Sequence, residues 1–391
     1  MSGTSCDGID VACVELEECE ETASARMISV QGFTVPFKNP VAAALRGLLA
    51  TPGSFADAAR ADVELGELFA DAAERGLAAW GRVDGIALSG HTFSHLPAET
   101  PACTLQLGSP AIVAERTGTP VLFGFRAADV ARGGEGAPLV PAGDRVLFGE
   151  IADPIAVVNI GGISNVTWLE RGRDPAAVDA GPGNLLLDRL HHDAHPEGPG
   201  FDRDGALAMQ GEVDHDWLAA HRRSRQPSSL LKKSFRSKAL FQQTAREEVV
   251  ARRSFGREEF GEGWWRAQHV SLAEFSTPDR LATICAWVAE ELSESMRILA
   301  RGRSPERLLV GGGGARNRRL VAELTARAGL EAEPLDAELH GVGCDLREAA
   351  AFAILGHEWV YGRPGSFLET TGAPALPRLG SWAFPGKGAH R

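Results

Sequence analysis

Several things missing from this sequence narrow it before anything present does. Its six cysteines (Cys6, Cys13, Cys19, Cys103, Cys285, Cys344) are scattered through 391 residues with no C-x-x-C pair. Neither a disulfide framework nor a structural zinc site is indicated, and reduced thiols are expected. Basic residues are in the minority, with 40 Lys and Arg against 52 Asp and Glu and a formal net charge of −12. Phosphate backbones and anionic lipids attract basic surfaces, so nucleic acid is a poor partner and a small molecule a better one. The opening residues, Met1 to Asp10, lack the basic start and apolar run of a signal peptide, and no later stretch is long enough to cross a bilayer. The expectation is a cytoplasmic protein with no membrane partner. G-x-x-x-x-G-K-[ST], a strand-embedded G-x-G-x-x-G, H-E-x-x-H and G-x-S-x-G are also missing, which disfavours P-loop, Rossmann, zinc-peptidase and serine-hydrolase chemistry.

What is there reads as α/β. At 391 residues and 44% hydrophobic content the chain exceeds the size at which one core usually divides, so two domains are expected. Strand-like residues from Ile9 to Leu16 follow a glycine-rich opening, and the stretch Pro154 to Leu169 repeats the pattern of strand, Gly161-Gly162 turn and strand. A weak internal duplication follows from the two turns. Helical spacing covers Asp57 to Trp80, Asp279 to Arg301 and about Leu346 to Tyr361, and Ser109-Pro110 opens another helix with a capping serine. The segment 221–268 is rich in charge and reads as a surface helical region, and the Gly/Pro-rich tail from Gly362 reads as loop.

The candidate chemistry sits in turns. Gly3, Thr4, Ser5, Asp7 and Gly8 bring small residues, two hydroxyls and a carboxylate into one turn. Such a turn can offer backbone N–H groups to phosphate while Asp7 positions Mg²⁺ through water; an ordinary Asp-Gly hairpin is the plainer alternative. Asn159, Gly161, Gly162, Ser164 and Asn165 repeat the chemistry in the second half. Gly311, Gly312, Gly313 and Gly314, with Asn317 opening a helix, form either a bare-backbone seat for an adenine ring or a flexible joint. Asp179 follows a short strand, Ala176 to Val178, and precedes a tight turn, placing it as a general base or as a capping Asp. Arg126 and Asp129 stand either as a carboxylate clamp or as a surface ion pair at helical spacing. His191, His192, Asp193 and His195 read as a solvated loop and not as a metal site.

Taken in order, Met1 to Asp10, Leu105 to Asp129, Gly133 to Pro141, Val158 to Asn165, Asp179 to Asp188, Phe201 to Gly205, Val310 to Asn317 and Arg347 to Phe352 make the chain similar to the anhydro-N-acetylmuramic acid kinases of peptidoglycan recycling. The resemblance implies two actin-like (RNase H-like) domains facing an interdomain cleft for ATP and substrate. Residues 1–144 with about 345–391 would form the first and 145–344 the second. It implies ATP and Mg²⁺ as cofactors, an amino sugar as substrate, Asp179 as catalytic base, and the two glycine turns with Gly311 to Gly314 as the nucleotide seat. It also implies that His91, Arg126, Asp129 and Glu348 line the sugar. Water would open the 1,6-anhydro ring while O6 takes the γ-phosphate. A simple sugar kinase and a non-catalytic nucleotide-binding regulator are the alternatives, and a homodimer is the generic expectation for a soluble enzyme. The sequence departs from the family where Ser89-Gly90-His91-Thr92 replaces Ser-His-Gly-Gln-Thr. It departs again where Lys232-Lys233-Ser234 is the nearest remnant of Lys-Ser-Thr-Gly-Arg-Glu, and at the first hairpin, which lacks its leading strand.

Overall fold

The computed structural model describes residues 1–3, 6–19, 24–50, 53–149, 152–224, 272, 274–336, 343–373 and 378–386. In chain order the elements begin with β1 (Gly8–Cys19), β2 (Ser24–Pro36), α1 (Asn39–Ala50), α2 (Phe55–Trp80), β3 (Ile86–Leu88), β4 (His91–Leu96), β5 (Cys103–Leu107), α3 (Pro110–Thr117), β6 (Val121–Phe123), α4 (Phe125–Ala131) and α5 (Val140–Phe148). They continue with β7 (Ile155–Ile160), β8 (Ile163–Leu169), β9 (Ala176–Pro182), α6 (Asn184–Ala194), α7 (His215–Ser224), α8 (Thr277–Ala300), β10 (Arg307–Gly311), α9 (Arg318–Ala328), β11 (Ala332–Pro334), α10 (Arg347–Val360) and β12 (Ser381–Ala383). They form two compact units, Met1–Glu150 with Asp336–Arg391, and Ile151–Leu335.

The second unit is built on a five-stranded sheet of order β11-β10-β7-β8-β9. β7, β8 and β9 form an antiparallel meander, and β10 and β11 add to its other edge in parallel. This is the strand order of an RNase H-like, actin-type domain. Ile155, Ala156, Val157, Val158 and Ile160 of β7 are all fully buried, as a central strand covered on both faces requires. α8 packs on β8 and β9 and explains why the helix is so apolar: Leu281, Ile284, Trp287, Val288 and Leu292 are inaccessible. Each such side chain contributes about 1.5–3 kcal/mol on burial. The Ser276 hydroxyl accepts from Asp279 N and starts this helix, the N-cap role its residue type favours.

The first unit is divided differently. β1 and β2 form a two-stranded ribbon, β3 and β6 a parallel pair with β12 added antiparallel, and β4 and β5 a separate hairpin. Ser54 and Asp57 close a reciprocal capping box on α2, whose apolar stripe carries Leu65 and Phe69 into the core. α5 and α10 approach so closely that a Cβ on Gly143 would lie 2.6 Å from Ala351 Cα. A buried ion pair spans the same contact. Arg347 Nε donates to Asp144 Oδ1 at 2.8 Å and its Nη2 donates to Asp144 Oδ2, with Asp144 fully buried and Arg347 5% exposed.

Three expectations are corrected here. Ser109 makes no side-chain cap on α3; its backbone N–H donates to Asp62 O at 3.1 Å, which ties α3 to α2 instead. His191 and His192 lie in the last turn of α6, not in a loop. The tail includes β12, because Ser381–Ala383 pairs with β6. Of 221–268, all beyond the end of α7 lies outside the described residues. Breaking the buried pair leaves an uncompensated charge, so Asp144→Ala is expected to cost about 3–5 kcal/mol in denaturant melts. Asp144→Leu with Arg347→Met should recover most of that loss.

Candidate active site

In the second unit, three backbone segments meet at the carboxyl ends of the parallel strands β7 and β10. The Gly161-Gly162 turn joins β7 to β8, and the 181–184 corner joins β9 to α6. Gly183 N donates to Gly162 O and Asn184 N to Gly161 O, both at 2.8 Å. A Cβ on Gly183 would sit 2.3 Å from Gly161 O, so only glycine permits this contact. The third segment is the run Gly311 to Gly314. Gly311 is in register with Asn159, and Gly312, at φ +80°, would put a Cβ 2.8 Å from Asn159 Oδ1. Gly314 would put one 2.2 Å from Ile160 Cγ2, while Gly313 has only the Asn184 amide at 3.3 Å. Asn184 Nδ2 also donates to Ile160 O at 3.2 Å, closing the corner.

Asp179 sits beside this corner, half-buried. It lies inside β9 and not after it, because a bulge between Ser164 and Asn165 lets β9 continue to Pro182 while Asp179 pairs with Asn165. The other predicted residues divide by exposure. Asn159, Gly161, Gly162 and Asn165 are half-buried and line the corner, where Gly313 is exposed. Ser164 is fully buried and its hydroxyl donates to Pro182 O at 3.0 Å, so it braces the corner from within. Asn317 is also buried and caps α9, its Oδ1 accepting from Leu320 N at 3.1 Å. The corner therefore offers glycine backbone, two helix N-termini and one carboxylate, a set suited to phosphate and to proton transfer.

In the first unit, Cys6 N donates to Gly3 O at 3.2 Å and closes the N-terminal turn. Cys6 is buried at φ +54°, an uncommon conformation for a side-chain-bearing residue. Thr4 and Ser5 lie outside the described residues. Asp7 is exposed; Gly8 is buried, where a Cβ would meet Val35 O at 2.6 Å. His91 is 1% exposed beneath the turn, with Nδ1 3.1 Å from Ser2 Oγ and Nε2 3.8 Å from Cys6 Sγ. Burial pulls its pKa down, so the ring is neutral and braces the turn. Asp129 is fully buried, accepting from Gly136 N and Thr371 Oγ1, both at 2.8 Å. It holds the 133–136 loop rather than forming a surface pair. Arg126 donates to Gly136 O at 2.9 Å, and Glu348 and Asp129 supply the nearby negative charge. Burial raises the pKa of Glu348, opposed by Arg347 and Arg126.

The residues that sequence reading missed do their work through burial. Asp10 shares the neighbourhood of Asp7 and the Met1 amine, with its pKa raised by desolvation. Asn184 and Arg347 lie in stretches that carry the resemblance, but neither they nor Asp144 stood out as site residues. A carboxamide at a helix start was visible, but its partner 24 residues away was not. No group of three or more His, Cys, Asp or Glu that could hold a metal occurs among the described residues, and none of their helices is long and apolar enough to cross a membrane.

An actin-type sheet whose strand ends carry a glycine corner beside a carboxylate defines an α/β enzyme of the phosphoryl-transferring class. A family model for anhydro-N-acetylmuramic acid kinase matches residues 1–385. The anhydro-N-acetylmuramic acid kinase of Pseudomonas paraeruginosa is 35% identical over 98% of this chain and 97% of its own. Those of Paramagnetospirillum magneticum and Salinibacter ruber are 36% and 35% identical, with 97% and 99% of this chain covered and 97% and 95% of theirs. The chain belongs to the anhydro-N-acetylmuramic acid kinase family and is a carbohydrate kinase.

Two outcomes follow from the packing. Gly314→Ala should cost about 1–3 kcal/mol by overpacking against Ile160, and Gly313→Ala far less, in parallel denaturant melts. For His91, the ordinary value is 6.5 and the folded value is lower. As pH falls through about 6.5 the unfolded chain gains a proton that the folded chain does not, so stability declines. His91→Gln should flatten this decline in melting temperatures measured from neutral to mildly acidic pH.

Proposed function

We propose that this chain uses ATP and water to convert 1,6-anhydro-N-acetylmuramic acid into N-acetylmuramic acid 6-phosphate and ADP, with Asp179 as general base. The observation that carries the reading is the half-buried Asp179 carboxylate on β9, one strand pair from the glycine corner at the start of α6. Asp179 takes a proton from water as the water oxygen bonds to the anomeric carbon and the bond from that carbon to O6 breaks. The released O6 bonds to the γ-phosphorus of ATP, and the bond from that phosphorus to the bridging oxygen breaks, leaving ADP. One carboxylate thereby serves both bond changes.

Glycine backbone at 161–162 and 311–314 and the N-terminus of α6 suit an anionic ligand, because aligned amide dipoles favour negative charge there. Preorganised charge of this kind supplies most of the catalysis in phosphoryl transfer. Half-buried Arg126 suits the lactyl carboxylate, with Glu348 as a further polar contact for the sugar. Asp129 and His91 position these groups from behind, through Gly136 and through the N-terminal turn. Mg²⁺ fits this chain as a companion of the nucleotide, with the exposed Asp7 as its candidate ligand through water, since no group of three or more metal-ligating side chains occurs among the described residues. Bound there, it would neutralise charge on the transferring phosphoryl group.

Asp179→Asn keeps the shape and removes the base. Turnover should fall at least about 10³-fold while ATP affinity, read by isothermal titration, stays within a few-fold. Unchanged turnover in that variant contradicts the assignment.

A further inference from the structure

Asp188 is a carboxylate to which the chemistry above gives no role. It stands on α6, the helix that starts at the glycine corner, and water reaches it. Among the described residues it has no hydrogen bond or ion pair, and the neighbouring Arg189 is committed to Asp193, with Nε 2.9 Å from Oδ1. Desolvation nevertheless raises its pKa to about 6, and no nearby charge offsets this. A carboxyl on a convex helix face stays hydrated and keeps its ordinary value. One that water reaches and that crowding still desolvates stands in the wall of a recess.

The position along α6 says what that recess adjoins. Residues three and four apart share a helix face, so Asp188 stands above Leu185 and Asn184. A Cβ on Gly162 would lie 4.0 Å from Leu185 Cβ, and one on Gly313 would lie 3.3 Å from Asn184 Nδ2. Helical side chains lean towards the N-terminus, over the turn before them, so Asp188 leans back towards both glycine loops. It does so about 6 Å along the helix axis from Asn184. One turn further on the face is closed, because His191 is buried against Gly198, where a Cβ would lie 3.6 Å from His191 Cε1.

We propose that Asp188 binds the ribose of the nucleotide, its two carboxylate oxygens accepting from the 2′ and 3′ hydroxyls. The inference rests on the reading of the glycine corner as the nucleotide seat. With phosphate at the N-terminus of α6, amides and the helix dipole hold the anionic end, and a second anion there would repel it. What a lone carboxylate one turn away can hold is a neutral donor. Two adjacent hydroxyls supply it with two charge-assisted hydrogen bonds. One helical turn matches the span from a 5′ phosphate to the ribose hydroxyls, and exposed Gly313 is then left for the base. A metal ion is a poorer occupant, since Asp188 belongs to no group of three or more metal-ligating side chains among the described residues.

The test measures binding of ATP, 2′-deoxyATP and 3′-deoxyATP to the full chain by isothermal titration, without sugar, for the parent and for Asp188→Ala. The parent should bind each deoxy form about tenfold more weakly than ATP, the size of one hydrogen bond to a charged group. Asp188→Ala should bind ATP about tenfold more weakly than the parent does, and should bind the three nucleotides within about twofold of one another. Equal binding of the three by the parent, which needs no variant, overturns the proposal, and so does undiminished discrimination in Asp188→Ala. A raised KM for the anhydro sugar with unchanged ATP affinity assigns the carboxylate to the other substrate and overturns it too. Binding of none of the three by the parent overturns the nucleotide seat and this inference with it, whereas the Asp179 assignment is read separately, in turnover.

Discussion

Much of the second unit depends on two backbones touching where no Cβ can stand. Gly183 against Gly161, and Gly314 against Ile160, bring the β7–β8 turn, the start of α6 and the end of β10 to one corner. The helix N-terminus and the glycine loops can meet only because those side chains are missing, and Asp179 is set beside them by a bulge one strand away. The geometry of this corner is thus a consequence of close packing. The polar groups that look functional, Ser164 and Asn317, are spent on holding it: one braces the corner from inside and the other starts α9.

The first unit reaches order by a different route. Its sheet is in pieces, and buried charges fix the elements around them. Asp144 and Arg347 pin α5 to α10, and Asp129 ties α4 to the 133–136 loop and to Thr371. Buried pairs of this type contribute little net stability while punishing any single loss severely, so they specify an arrangement more than they strengthen it. Arg347 is next to Glu348, so the same pair that positions α10 also sets where Glu348 stands relative to Arg126.

The alternating order of strands and helices was legible because period and turn chemistry are local. β7 and β8 around Gly161-Gly162, and α2 and α8 from their helical spacing, follow from such signals. Asp179 stood out from its place before a tight turn, but that β9 runs past it was not legible, since a bulge is a property of two strands and not of one. His91 and Asp129 were singled out through the resemblance, but their burial was not legible, because burial is decided by segments far away in sequence. Thr371, the partner of Asp129, is 242 positions distant. β12 was missed because three residues paired to β6 carry no period of their own.

The account rests on one carboxylate serving ring opening and phosphoryl transfer together, and the product's oxygen atoms report on this directly. Purified protein would be given Mg-ATP and 1,6-anhydro-N-acetylmuramic acid in ¹⁸O-labelled water, and the sugar product followed by mass. The account predicts ADP release that depends on the anhydro sugar, and a product that has gained one phosphoryl group and one labelled oxygen at the anomeric carbon. Phosphorylation without gain of water, or ADP release unaffected by the sugar, would contradict it.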